Sequence, residues 1–253
     1  MRGDQLCAVF VATVSTLVFP LRCQERSSDD SRTDFGSFRE QIHRLHEVNS
    51  EEFIRHLYFQ CGSCWAFSVV GAVQSVHAIG GSQLEQLSVQ QVLDCSFQNE
   101  GCNGGSPVRA LNWLKQTRIK VVPQSEYSYK AKTGICHFFS QSHGGVAVKN
   151  FAAHDFSGQE EAMMGQLVEH GPLAAVVDAV SWQDYLGGII QHHCSSHWSN
   201  HAVLVIGYDT TGDIPYWIVQ NSWGTTWGNE GYVYIKIGGN VCGVADTVAA
   251  VYL

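Results

Sequence analysis

The stretch Gln60-Cys61-Gly62-Ser63-Cys64-Trp65-Ala66-Phe67-Ser68 carries the most chemistry in this 253-residue chain. A thiol with the ordinary pKa of about 8.5 is a poor nucleophile in neutral or acidic medium. At the first turn of a helix, unsatisfied backbone N–H groups and the helix dipole favour the thiolate. Cys64, at the start of an apolar run, is therefore expected to have a lowered pKa, and a nearby imidazolium would lower it further. Gly62 would let backbone and ligand approach closely. The same spacing also suits a Cys-x-x-Cys redox pair or half a zinc site. The redox reading needs a βαβ context that the flanks do not supply, and the zinc reading needs a second ligand pair at short range.

Two cysteines, Cys7 and Cys23, fall in or just after an N-terminal apolar run, leaving Cys61, Cys64, Cys95, Cys102, Cys136, Cys194 and Cys242. Seven is odd. Three bridges and one free thiol suit a secretory-pathway protein, but counting does not say which thiol is free.

The Cys-Gly-Ser-Cys-Trp stretch, with Asn200-His201-Ala202-Val203 and Gln220-Asn221-Ser222-Trp223-Gly224 downstream, resembles the papain-like cysteine proteases. His201 lies 137 residues after Cys64 and Asn221 lies 157 after it. Gly101-Cys102-Asn103-Gly104-Gly105 is similar to that family's substrate-binding glycine loop, and Trp227-Gly228 and Gly231-Tyr232 continue the likeness. The matches keep one order over residues 61–253. They imply Cys64 as nucleophile, His201 as its base and later the acid to the leaving amine, and Asn221 as the acceptor that orients the imidazole. Trp223 would shield that hydrogen bond, and the Cys64 N–H would be one oxyanion donor. The resemblance further implies a substrate-binding set of Gly62, Gly104, Gly105, Asn200, Trp223 and Thr247, with Thr247 near the floor of a specificity pocket. It implies the pairings Cys61–Cys102, Cys95–Cys136 and Cys194–Cys242, leaving Cys64 free. It implies no cofactor, protein or peptide substrates, cystatin-type inhibitors, a monomer, and a lysosomal setting.

Several elements must position these residues. Trp65, Ala66, Phe67, Val69, Val70, Ala72, Val73 and Val76 predict a buried helix ending near Gly80-Gly81. A short helix is expected at 88–93, a stapled turn-rich loop at 95–105, and another helix through Ala110, Leu111, Trp113 and Leu114. Ser157 and Glu160 fit a capping box that opens a helix reaching His170. Strands are expected at 146–148, 173–177, 202–208, 216–220 and 231–237. Helices first and strands second predict an α+β fold with two lobes, and the family likeness implies a helical lobe, a β-barrel-like lobe and a cleft between them.

Net charge is −8, from 15 Lys and Arg against 23 Asp and Glu. No dense basic stripe exists to neutralise phosphates, which argues against a nucleic-acid partner. Residues 6–19 are apolar, too short to cross a bilayer and about right for a signal-peptide core, so 1–23 is expected to be a leader. No later stretch suits a membrane span. His192, His193 and His197 read as an exposed loop, without the carboxylates or regular spacing of a metal site.

The chain departs from the family pattern before the nucleophile. Family members carry an oxyanion-donating Gln six residues upstream. Here that position is Tyr58, and Gln60 is only four before. Residues 24–57 read as a remnant of an inhibitory pro-segment, with an amphipathic helix over 37–57, joined almost directly to the peptidase domain at 58–253. An internal deletion would account for this.

Overall fold

The computed structural model describes residues 5–8, 24–25, 61–137, 144–192, 194 and 199–253. The expected helix at 37–57, most of the leader, His193, His197, Tyr58 and Gln60 lie outside these residues. Among the described residues no helix is long and apolar enough to cross a membrane.

Four α-helices lie in the described chain: α1 (Cys64–Ile79), α2 (Val89–Cys95), α3 (Pro107–Thr117) and α4 (Glu160–His170). The helix α1 is apolar almost all round, with Trp65, Ala66, Val69, Val70, Ala72 and Val73 buried. Such a helix is stable only inside a core. The short α2 takes its start from Ser88, whose hydroxyl accepts the Gln91 N–H at 3.0 Å. Pro107 suits the first turn of α3, where its missing N–H costs nothing. Its end at Arg118 is left-handed.

The strands are β1 (Gln5–Ala8), β2 (Gln24–Glu25), β3 (Lys120–Val121), β4 (Val146–Ala147), β5 (Asn150–His154), β6 (Leu173–Val177), β7 (Ile189–Ile190), β8 (His201–Asp209), β9 (Tyr216–Gln220), β10 (Tyr232–Lys236) and β11 (Val248–Tyr252). Apart from the β3–β4 ribbon they form one sheet in the order β5-β11-β6-β8-β9-β10-β7. Pairing is antiparallel except between β10 and β7. Among the described residues the sheet is open: its end strands β5 and β7 are not joined. The β1 strand pairs with β2 and runs antiparallel to the far end of β8, Leu6 opposite Asp209.

Two hydrophobic cores lie on opposite faces of this sheet, which makes the fold α+β with two lobes. The strand β8 separates them by alternation. Ala202, Leu204 and Ile206 face the core built with α1, α2 and α3, while Val203 and Val205 face the core built with α4. A register shift between Val205 and Gly207 then turns Tyr208 into the second core. The same split recurs on β9, with Ile218 on one side and Trp217 and Val219 on the other. It recurs again on β11, with Ala249 and Val251 against Val248 and Ala250.

The capping box expected at Ser157 does not form. The helix α4 starts at Glu160 with Gln159 as its cap residue, and no side chain caps it. The Ser157 hydroxyl is instead held by Asp155 and Asp246. Glu160 turns into the core, where its carboxylate accepts from Trp217 Nε1 at 3.1 Å, the Gly238 N–H at 2.7 Å and the Asn240 N–H at 3.3 Å. A buried acceptor with three donors outcompetes a cap that solvent could satisfy. A Glu160→Ala variant leaves those donors orphaned and should lower the unfolding free energy by about 3 kcal/mol in urea titrations. A loss below about 1 kcal/mol would show that the carboxylate is dispensable.

Candidate active site

Cys64 is the first residue of α1, and its helix packs against β8. The nearby backbone N–H groups of Ala202, Trp65 and Cys64 itself act to lower the pKa of its thiol. The Ala202 contact puts the thiol beside the first residue of β8, which is His201. Cys64 is a free thiol, whereas Cys61–Cys102, Cys95–Cys136 and Cys194–Cys242 are disulfides.

His201 is buried, and its Nε2 lies 2.7 Å from Asn221 Oδ1. That oxygen also accepts the Ser222 N–H at 2.8 Å, so two donors hold the asparagine amide with its oxygen toward the ring. An Nε2–H donated to Asn221 leaves Nδ1 as the free ring nitrogen. Aromatic rings close around the pair. Trp223 lies 4.9 Å from the His201 ring and Trp182 stands edge-on at 6.2 Å. Trp227 packs on both tryptophans and donates its Nε1–H to the Trp182 carbonyl at 3.0 Å.

The glycine loop is fastened to the same helix. The Gly62 N–H donates to Cys102 O at 2.7 Å, and a Cβ on Gly62 would sit 2.9 Å from that oxygen. A Cβ on Gly105 would meet the Trp65 ring at 2.7 Å, and Trp65 Nε1 donates to Gly101 O at 3.2 Å. Only glycine allows both approaches. Gly104 adopts φ 118°. Asn200, next to His201, is exposed; its Nδ2 donates to Asp178 Oδ1 at 2.9 Å and its Oδ1 accepts the Ala179 N–H at 3.0 Å. Thr247, half-buried, accepts the Val176 N–H on its carbonyl at 3.1 Å. His192 is exposed, and among the described residues no group of three His, Cys, Asp or Glu is placed to hold a metal.

Sequence reasoning missed Asp178, Trp182 and the hydroxyl contact between Ser63 Oγ and Tyr129 Oη at 2.6 Å. Asp178 and Trp182 lie in a stretch without helix or strand periodicity, so their part in the site had no local signal.

The expected depression of the thiol does not appear. Burial raises the Cys64 pKa, and the three backbone N–H groups pull it down by less. Burial likewise lowers the His201 imidazole from 6.5 to about 4, against the opposing pull of Asn221. Each group alone is thus better neutral here, and a thiolate–imidazolium pair depends on the mutual attraction of its two charges. The ring's position has a consequence for stability. The unfolded chain binds a proton on His201 near pH 6.5 and the folded chain near 4. Between those values the unfolded state holds more protons, so stability is lost as pH falls through that window. A Cys64→Ser variant, which lacks the thiolate, should lose about 3 kcal/mol across the window relative to Cys64→Ser/His201→Phe, which lacks the titrating ring. Urea denaturation at both ends measures it, and equal losses in the two variants would overturn it.

Comparison with known proteins places this arrangement in a family. The sequence pattern described as Papain family cysteine protease matches residues 45–252. Cathepsin O from Homo sapiens is 61% identical over 193 residues, covering 76% of this chain and 60% of the relative. Cathepsin O from Mus musculus is also 61% identical over 193 residues, again 76% of this chain and 62% of the relative. The match thus spans about three fifths of the length of these relatives. The bromelain protease from Ananas comosus, solved in complex with the E64 inhibitor, superposes with a TM-score of 0.69 at 34% identity, covering 76% of this chain and 90% of that one. From its sequence, its two-core fold and these matches, the chain belongs to the papain family of cysteine proteases.

Proposed function

We propose that this chain is a cysteine endopeptidase that cuts peptide bonds through Cys64, His201 and Asn221. The observation that carries the reading is the buried 2.7 Å contact between His201 Nε2 and Asn221 Oδ1, at the start of the strand against which the Cys64 helix packs. His201 Nδ1 takes the thiol proton, and the sulfur attacks the scissile carbonyl carbon. The Cys64 N–H, at the helix N-terminus, supports the oxyanion. The tetrahedral adduct collapses by breaking the C–N bond. The leaving amine takes the imidazolium proton, and a thioester remains. A water, deprotonated by the same Nδ1, releases the acid and restores the thiol. Asn221 holds the ring's tautomer and direction throughout, and the tryptophans around it keep water from competing for the Nε2–H.

The three disulfides support synthesis in an oxidising compartment. With the leader-like residues 1–23 they favour the secretory pathway and the lysosome, with protein substrates and cystatin-type inhibitors as partners. The domain division at 57/58 belongs to the same proposal.

Labelling with an epoxide-type thiol probe at mildly acidic pH tests the nucleophile. Labelling and peptide hydrolysis should both vanish in Cys64→Ala; labelling that persists in that variant would sink the assignment. A second reading, a papain-fold protein that binds peptides with impaired turnover, is favoured by Tyr58 at the position of the family's oxyanion glutamine. Losing one such donor costs about 10²–10³ in turnover. If that loss limits the enzyme, Tyr58→Gln should raise kcat by a comparable factor while probe labelling stays unchanged. No rise in kcat would exclude the missing donor as the limiting defect.

A further inference from the structure

Cys102, inside the glycine loop, is gripped by two separate parts of the chain. One is the start of α1: the Cys102 sulfur is bridged to Cys61, and its carbonyl accepts the Gly62 N–H at 2.7 Å. The other is Thr133, whose Oγ1 accepts the Cys102 N–H at 2.8 Å. The same side chain backs Gly101. A Cβ on Gly101 would lie 2.7 Å from Thr133 Cγ2 and 2.9 Å from Thr133 Cβ. Gly101 also has φ 57°, so both its backbone and its threonine neighbour require glycine.

Thr133 reaches the loop from a backbone that is fastened on each side. The carbonyl of Lys132 accepts from Gln90 Nε2 at 2.8 Å, and Gly134 donates its N–H to Asp94 Oδ1 at 2.7 Å. Gln90 and Asp94 are buried residues of α2. Further along the same segment, Tyr127 Oη donates to Asp94 Oδ2 at 2.7 Å, and the Cys95–Cys136 bridge closes the end. The hydroxyl is therefore a fixed point between α2 and the loop, although Thr133 itself is exposed.

The fastened loop presents Gly105. Gly104 uses its N–H on the Gly101 carbonyl at 3.3 Å and its carbonyl on the Glu100 N–H at 2.9 Å. Gly105 uses neither its N–H nor its carbonyl in a hydrogen bond among the described residues. A Cβ on Gly104 would meet nothing within 4 Å, so the loop is open beside that backbone. An extended peptide laid there can pair with Gly105 as a neighbouring strand would.

We propose that Thr133 is a positioning residue for substrate: by accepting the Cys102 N–H and backing Gly101, it holds the glycine loop where Gly105 meets an extended peptide. The inference rests on Gly104 and Gly105 binding substrate and on Cys64 being the nucleophile. In Thr133→Val a methyl group replaces the oxygen, so the Cys102 N–H loses its acceptor and the loop must shift. Thr133→Ser keeps the oxygen.

Labelling of Cys64 on the full chain by a peptidyl epoxide, followed to saturation, tests it beside alkylation by iodoacetamide, which has no peptide to seat. Thr133→Val should raise the half-saturating epoxide concentration about tenfold and leave the limiting rate and the iodoacetamide rate unchanged. Thr133→Ala, in which water can take the loop N–H, should raise it about threefold and carries the test should the valine variant not fold. Thr133→Ser should label as the parent does. An unchanged half-saturating concentration in the valine and alanine variants, a serine variant as impaired as valine, or an iodoacetamide rate that falls in step would each overturn the proposal. A parent that takes the peptidyl epoxide no faster than an epoxide without a peptide would overturn the glycine-loop reading and the proposal with it. A parent without Cys64-dependent labelling would overturn the nucleophile assignment, so the failures are told apart.

Discussion

The strand β8 must be apolar on both faces, and much of the architecture follows from that. Two cores meet across it. Its even residues up to Ile206 serve the helical core, and Val203 and Val205 serve the other. A strand buried on both sides cannot slip by one residue without exchanging its side chains between cores. That constraint fixes where His201 begins the strand and where the adjacent Ala202 N–H points. The helix α1, too apolar to face water, has the same wall as its packing partner. Cys64 and His201 stand 137 residues apart, and their elements meet because each buries itself against the other.

Burial that builds the site also opposes its chemistry. A desolvated thiol resists deprotonation and a desolvated imidazole resists protonation. The compensating groups are fixed dipoles: backbone N–H groups that favour the thiolate and one amide oxygen on the ring. These are preorganised, so no reorientation is needed as charge moves. The tryptophans sharpen the same balance. They exclude water from the His201–Asn221 bond, which strengthens it, and they deepen the desolvation that makes the ring reluctant to charge.

The stapled loop shows a second use of close packing. Cys61–Cys102, the Gly62 N–H on Cys102 O, and Trp65 on Gly101 O bind the glycine segment to the first turn of α1. One helix terminus thus presents the thiol and also anchors the loop expected to hold substrate. Trp65, the residue after Cys64, fills the space that a side chain on Gly105 would need.

By itself the sequence determined the identity of the chemical groups and the kind of fold. Cys64, His201 and Asn221 stand in motifs whose residue types only make sense together. The apolar run after Cys64 and the apolar stretches at 173–177, 202–208 and 216–220 became α1, β6, β8 and β9. The short β5 and β11 were not legible, because Asn150–His154 has no alternation and the short apolar run Val248–Tyr252 suits a strand or a buried helix equally until β5 and β6 pair with it. The capping box at Ser157 was legible and wrong, because Glu160 is drawn into the core by donors from residues about 60 to 80 positions away. The direction of the Cys64 pKa was likewise decided only by the tertiary structure. The helix N-terminus is a local feature that sequence can suggest, whereas desolvation is set by everything packed around the sulfur. The contact between the Ser63 and Tyr129 hydroxyls belongs to the same class, since nothing local relates two residues 66 positions apart.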